Sequence, residues 1–234
     1  MLPYNNHKVE ELFISNHCCD TIIEITDSLK PSLKVYSQSG KIILNNTNLN
    51  DCKIITLEGD ILLNDSSFNA IEISNFSAPI YLEKSTVNKQ AILRNSSREI
   101  IINNSNIKWS KIRTNNGDIT INDCNKNSDQ LFNIRSTDGM INVNNSEMME
   151  TKIHTTLGTI SINNSKIKKA TLGMAINNEI IIKKSQIESL TTESYLSPKI
   201  IKSQIDNHTS TILEDILPEG NFKTSEKILV IKQK

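Results

Sequence analysis

The ten-residue phrase Gly158-Thr159-Ile160-Ser161-Ile162-Asn163-Asn164-Ser165-Lys166-Ile167 is one copy of a unit that recurs along almost the whole chain. Anchored on its first Ile, the unit returns at Ile23, Ile42, Ile61, Ile80, Ile100, Ile119, Ile141, Ile160, Ile180 and, degraded, Ile200. The step is 19 or 20 residues except for the 22 between Ile119 and Ile141. A fixed short period constrains the fold more than any composition does. No unit can bury its own apolar side, so the units must stack into a solenoid.

The columns of the stack predict what faces inward. Five residues after the anchors stand Ser28, Thr47, Ser66, Ser85, Ser105, Cys124, Ser146, Ser165 and Ser185, then Ser203 after a shortened turn. Only small side chains occupy that place. Seven further on come Val35, Ile54, Ile73, Ile92, Ile112, Ile153 and Leu172. Ile134 joins them once a three-residue insertion around Asn125 to Asp129 is allowed, and the column stays apolar until Thr192.

Gly40, Gly59, Gly117, Gly139 and Gly158 lie two residues before their anchors. They read as corners, where positive φ suits Gly or Asn. Asn45-Asn46, Asn103-Asn104, Asn144-Asn145 and Asn163-Asn164 read as a second corner, with αL backbone and amides bonding from coil to coil. Between corners apolar and polar residues alternate, the period of a strand. The expectation is an all-β, single-domain parallel β-solenoid (β-helix) of about ten coils, about 45 Å long at a strand spacing of about 4.8 Å.

Three segments divide the chain: an N-terminal cap over 1–20, repeats over 21–213 and a C-terminal cap over 214–234. Val9, Leu12 and Phe13 have helical spacing, so Lys8 to Ser15 reads as a short amphipathic cap that covers the first sheet edge. Thr211 with Glu214 forms a capping-box pattern ahead of Ile216 and Leu217. Lys227 to Lys232 reads as a closing strand.

Formal net charge is zero, which argues against a general nucleic-acid binder. No apolar run approaches the roughly 20 residues of a membrane-spanning helix. The opening residues lack the layout of a secretory signal. The protein therefore reads as cytoplasmic as encoded, or as exported or delivered without such a signal, or as a surface protein if the chain is trimmed. Cys52 and Cys124 read as packed, and no cysteine pair has metal or redox spacing. No cofactor or metal is expected.

Ser136-Thr137-Asp138-Gly139-Met140-Ile141-Asn142-Val143 and Thr155-Thr156-Leu157-Gly158-Thr159-Ile160-Ser161-Ile162 resemble the repeats of the bacterial adhesin-like β-solenoid family, which run Thr/Ser-x-x-Gly-x-Ile-x-Ile. The resemblance covers about Ile23 to Leu213. It implies a surface- or envelope-associated, non-catalytic protein and carries over no catalytic residues.

Longer-coil β-helices include polysaccharide lyases and hydrolases, so an enzyme is the rival reading. That chemistry needs two acids near one sugar. Asp27, Asp65 and Asp123 share a column but lie roughly 10 and 14 Å apart, and Asp60 and Asp118 are three coils apart. His7, His17, His154 and His208 share no column, and acids and histidines alike read as solvated. Phe13, Phe68 and Phe132 are expected in the core. The binding candidates are the polar loop Asn125, Lys126, Asn127 and Asp129, and Tyr81 with Trp109 as an exposed aromatic pair. The expected activity is that of a binding or scaffold protein presenting a polar, multi-coil face to a protein or surface glycan. An oligomer and an effector delivered without a signal are both compatible with the sequence.

Overall fold

The structure, a computed structural model, describes residues 11–25, 30–124, 131–175 and 178–212, and every regular element among them is a strand. The chain alternates between two parallel sheets. Four-residue strands such as Ile61–Asn64, Ile119–Asn122 and Ile160–Asn163 stack in sequence order into a ten-stranded sheet. Longer strands, from Glu11–Asn16 through Trp109–Thr114 to Gln204–Ile212, stack into a twelve-stranded one. This is the expected β-solenoid, with coils about 19 residues apart.

The alternation of residue types produces a two-sided core. From Ile42–Asn45 to Ile160–Asn163 the first and third residues of each short strand are buried and the second and fourth half-buried. Their buried side chains meet those of the longer strands in one continuous apolar core. Each fully buried Ile or Leu contributes about 1.5–3 kcal/mol. That repeated increment holds together coils which otherwise share only their ladder hydrogen bonds.

The small-residue column is a hydrogen-bond ladder. The Ser66 hydroxyl accepts from the Thr47 amide at 3.1 Å and donates to the Asn64 carbonyl at 2.7 Å. Ser85, Ser146, Ser165, Ser185 and Ser203 repeat both bonds one coil on. Cys124 keeps the donor half, its thiol reaching the Asn122 carbonyl at 3.1 Å, and burial pushes that thiol up to about 12. Among the described residues each position just before the column has positive φ, from Asn46 at 51° and Asp65 at 47° to Lys202 at 49°. The Asn amides bond from coil to coil as expected, Asn122 to Asn103 and Asn144 to Asn122 both at 2.9 Å.

Five expectations need correction. Leu12 to Ser15 are not helical: Glu11–Asn16 is a strand paired in parallel with Ser32–Ser37, because its alternation matches the next coil. Phe13 is consequently on the outer face, 65% exposed, with its ring 5.5 Å from that of Tyr36. Thr21, not Ile23, pairs with Ile42, and Pro198 rather than Ile200 falls level with Ile180, since Ile182 pairs with Ile200. Leu93, not Ile92, stands between Ile73 and Ile112, because an extra residue is absorbed as a bulge after Val87. Finally, His208 is half-buried in the inward column next to Leu190, where it bonds the Thr192 hydroxyl at 3.2 Å. Ile134 does pair with Ile112 across the insertion. The segment 214–234 lies outside the described residues, as does the rest of the pattern after Ile212, which itself ends a strand.

Candidate functional site

In the twelve-stranded sheet, side chains at alternate positions point away from the core, and the parallel register places equivalent positions of successive coils side by side. One outward column is basic. Arg113 pairs with Arg94 on one side and Arg135 on the other, and Arg135 pairs with His154. Two residues earlier on its own strand, and on the same face, stands Lys111, with Trp109 two before that. Lys152 holds the equivalent place beside His154, and Asn133 lies between the two lysines. Asymmetry follows from this: cations crowd four coils of one face although the chain as a whole is neutral.

The acids that could offset these charges stand at the margins. Glu72 binds the Arg94 guanidinium at 2.8 Å and Lys53 at 3.3 Å, and the Arg94 hydrogen bond holds the Glu72 carboxyl below the usual carboxylate range. Glu150 lies 3.6 Å from Lys152 and 3.8 Å from Lys169. Arg113 and Arg135 are exposed and form no salt bridge with a described residue. Like charges directly opposite on neighbouring strands destabilise a sheet, by about 1 kcal/mol per pair in bulk water. An arginine column at strand spacing is therefore not explained by the stability of the fold.

His154 closes the column. Its ring lies over Gly173 of the next coil, where an added Cβ would come within 2.9 Å of Cδ2. Burial holds the imidazole below its ordinary value, the Arg135 charge lowers it further and Glu193 opposes both. Arg135→Gln is accordingly expected to raise the His154 pKa, read from imidazole proton shifts against pH; an unmoved titration would show that the two side chains do not face each other. Burial lowers His208 as well. For both groups the unfolded chain binds protons more readily, so stability is complete above the ordinary imidazole value and falls as pH drops through the lowered values. Thermal unfolding midpoints measured across that window should fall on acidification.

Tyr81 and Trp109, the aromatic pair singled out in the sequence, fall in different sheets. Tyr81 lies in the ten-stranded sheet, between Leu62 and Ile101, with its hydroxyl 3.3 Å from Glu99. Burial, then Glu99, raises its pKa. Trp109 is on the outer face of the other sheet, next to Leu131. Asn125, Lys126, Asn127 and Asp129 lie outside the described residues. Among the described residues no three His, Cys, Asp or Glu side chains are grouped as a metal ion would need, and no helix is long and apolar enough to cross a membrane. Of the acids weighed as catalytic, Asp118 accepts from the Met140 amide at 2.8 Å, Asp60 lies 3.7 Å from Lys41, Asp65 and Asp123 are αL corner residues, and Asp27 lies outside the described residues. Sequence reading missed the arginine column, although Arg94, Arg113, Arg135 and His154 are spaced 19, 22 and 19 residues apart, in step with the anchors.

The family model described as Toastrack DUF4097 matches residues 13–132, half of the chain, from the first strand into Leu131–Ser136. The chain belongs to the Toastrack family. No curated protein and no solved structure matches it. The Toastrack match takes in Arg94, Lys111 and Arg113 and ends three residues before Arg135 on the same strand, while His154 comes from the next coil.

Proposed function

We infer that this Toastrack chain is a non-enzymatic, adhesin-like binding module that engages an extended macromolecule through the outer face of its twelve-stranded sheet. The observation that carries the reading is the in-register stack of Arg94, Arg113 and Arg135, two of them without a salt-bridge partner among the described residues. A solenoid face offers many shallow contacts spread over successive coils, which suits a long partner better than a small substrate. The structural roles of Asp60, Asp65, Asp118 and Asp123 support binding over glycosidic catalysis.

An alanine scan tests this against a panel of polysaccharides, acidic peptides and oligonucleotides. Alanine at Arg94, Lys111, Arg113 or Arg135 should each weaken partner binding several-fold to about tenfold, with combined changes on adjacent coils multiplying. Asp60, Asp118 and His154 should each matter only modestly. An enzyme behaves in the opposite way, since loss of one catalytic acid commonly lowers the rate by about 10²–10⁴-fold. One acid whose loss abolishes activity in a folded protein would overturn the binding reading.

A further inference from the structure

We propose that the arginine column binds a linear acidic polysaccharide of the polyuronate type, laid along the solenoid axis with one carboxylate meeting each coil. The proposal rests on the reading of this sheet face as a binding surface and names its partner.

The spacing selects the chemistry. Strand pairing fixes the rise between Arg94, Arg113 and Arg135 at about 4.8 Å per coil, so the column from Arg94 to His154 extends about 14 Å. An extended acidic peptide presents carboxylates on one side only every second residue, about 6.8 Å apart, and falls out of step within two coils. A single-stranded nucleic acid needs a stacking surface for successive bases, and this patch carries one aromatic residue, Trp109. A uronate chain carries one charge per sugar ring, a step comparable to the coil rise; in an extended ribbon successive carboxylates fall on opposite edges, so successive coils meet them alternately in the arginine column and in the lysine row beside it, with no base platform needed.

The surroundings suit a sugar ribbon. Guanidinium groups bind carboxylates in a two-pronged geometry that ammonium groups lack, and the column is built from arginines. Lys111 and Lys152 form a parallel second row, two residues away along their strands, that can meet charges on the ribbon's other edge, and the Asn133 amide between them can serve hydroxyls. Trp109 continues the Arg113 and Lys111 line on the same face and offers an indole surface to a sugar ring. Arg94 is shared with Glu72, which marks one end of the site.

Trp109 is the only tryptophan in the chain, so its fluorescence reports on this face directly. The experiment titrates the full chain with hexagalacturonate, its methyl ester, hexaglutamate and an oligothymidylate of equal charge, with calorimetry in parallel. Hexagalacturonate should give a saturable fluorescence change that weakens with added salt, and the methyl ester should give none. Arg113→Gln and Arg135→Gln should each reduce affinity about tenfold and together about a hundredfold, with unchanged circular dichroism. Lys166→Gln, on a later coil of the same sheet, should stay within about twofold of the parent. Absence of saturable hexagalacturonate binding, equal binding of the methyl ester, or indifference to both arginine changes would overturn the proposal. Tighter, Arg113-dependent binding of hexaglutamate or oligothymidylate would overturn the polysaccharide while leaving the binding face in place. If no probe responds to Arg113 or Arg135 and a partner maps to another surface, the functional reading falls with it.

Discussion

Ile112→Asp is expected to unfold the protein, or to lower its denaturation midpoint by an amount equal to several kcal/mol. Ile112 has no exposed surface and stands between Leu93 and Ile134 in the inward column. A carboxylate there loses its water, and the nearby cations, Lys111 and Arg113, point to the opposite side of the sheet. Burying such a group without a partner costs far more than a lost apolar contact. Since domains are stable by about 5–15 kcal/mol, one such change takes most of the margin. Arg113→Asp is the matched control. It sits one residue away, points outward and relieves repulsion between arginines, so its urea midpoint should stay near that of the parent while partner binding falls. An Ile112→Asp midpoint equal to the parent's would mean that the column does not face inward.

The two substitutions separate what the sequence made legible from what it did not. Period, strand alternation, the Ser ladder and the αL asparagines could be read because each is a local demand repeated in every coil. A small hydroxyl is needed wherever Ser66 and its equivalents bond two coils at once, so the column shows itself in one letter. The errors fall where a local pattern met a tertiary choice. Leu12 and Phe13 suit a helix by spacing, yet the edge of Ser32–Ser37 offers six residues of ladder, and pairing prevails. Ile92 and Leu93 are both apolar, and only the bulge after Val87 decides which points inward. Thr21 displaces Ile23 because register follows the hydrogen bonds and not the anchor letter.

The arginine column escaped for a different reason. Net charge sums over the whole surface, and a neutral total hid a one-sided distribution. Outward positions are free to vary, so a column confined to a few coils has no letter repeated along the whole chain to reveal it. Only counting basic residues at the coil step, once the register was known, brings Arg94, Arg113, Arg135 and His154 into line.

Gly117→Ala should be the second severe change, for reasons of approach and not of backbone freedom. Positive φ accounts for Gly40 and Gly59, at 101° and 105°, but not for Gly117. A Cβ on Gly117 would lie 1.9 Å from the Arg98 carbonyl oxygen and 2.2 Å from its carbon, both backbone atoms of the coil beside it. The coils would have to separate locally, and overpacking of this kind costs about 3 kcal/mol. The corners suggest a remedy. At Thr114, Ser136 and Thr155, three before Gly117, Gly139 and Gly158, the hydroxyl accepts the Gly amide at 2.9 to 3.0 Å, whereas Ser37 and Thr56, ahead of the positive-φ Gly40 and Gly59, donate to the Ser39 and Glu58 carbonyls. Where that place holds Asn, as with Asn75 or Asn95, the side-chain carbonyl accepts two successive amides, and Ala78 or Arg98 fills the Gly position without conflict. Thr114→Asn combined with Gly117→Ala is therefore expected to recover part of the loss, a favourable coupling measurable in a double-mutant cycle of urea midpoints. Gly173→Ala offers the contrast: its Cβ would meet only the His154 ring, a side chain able to move, so its effect should be small. If Gly117→Ala unfolds within about 0.5 kcal/mol of the parent, close approach of coils is not what selects glycine at this corner.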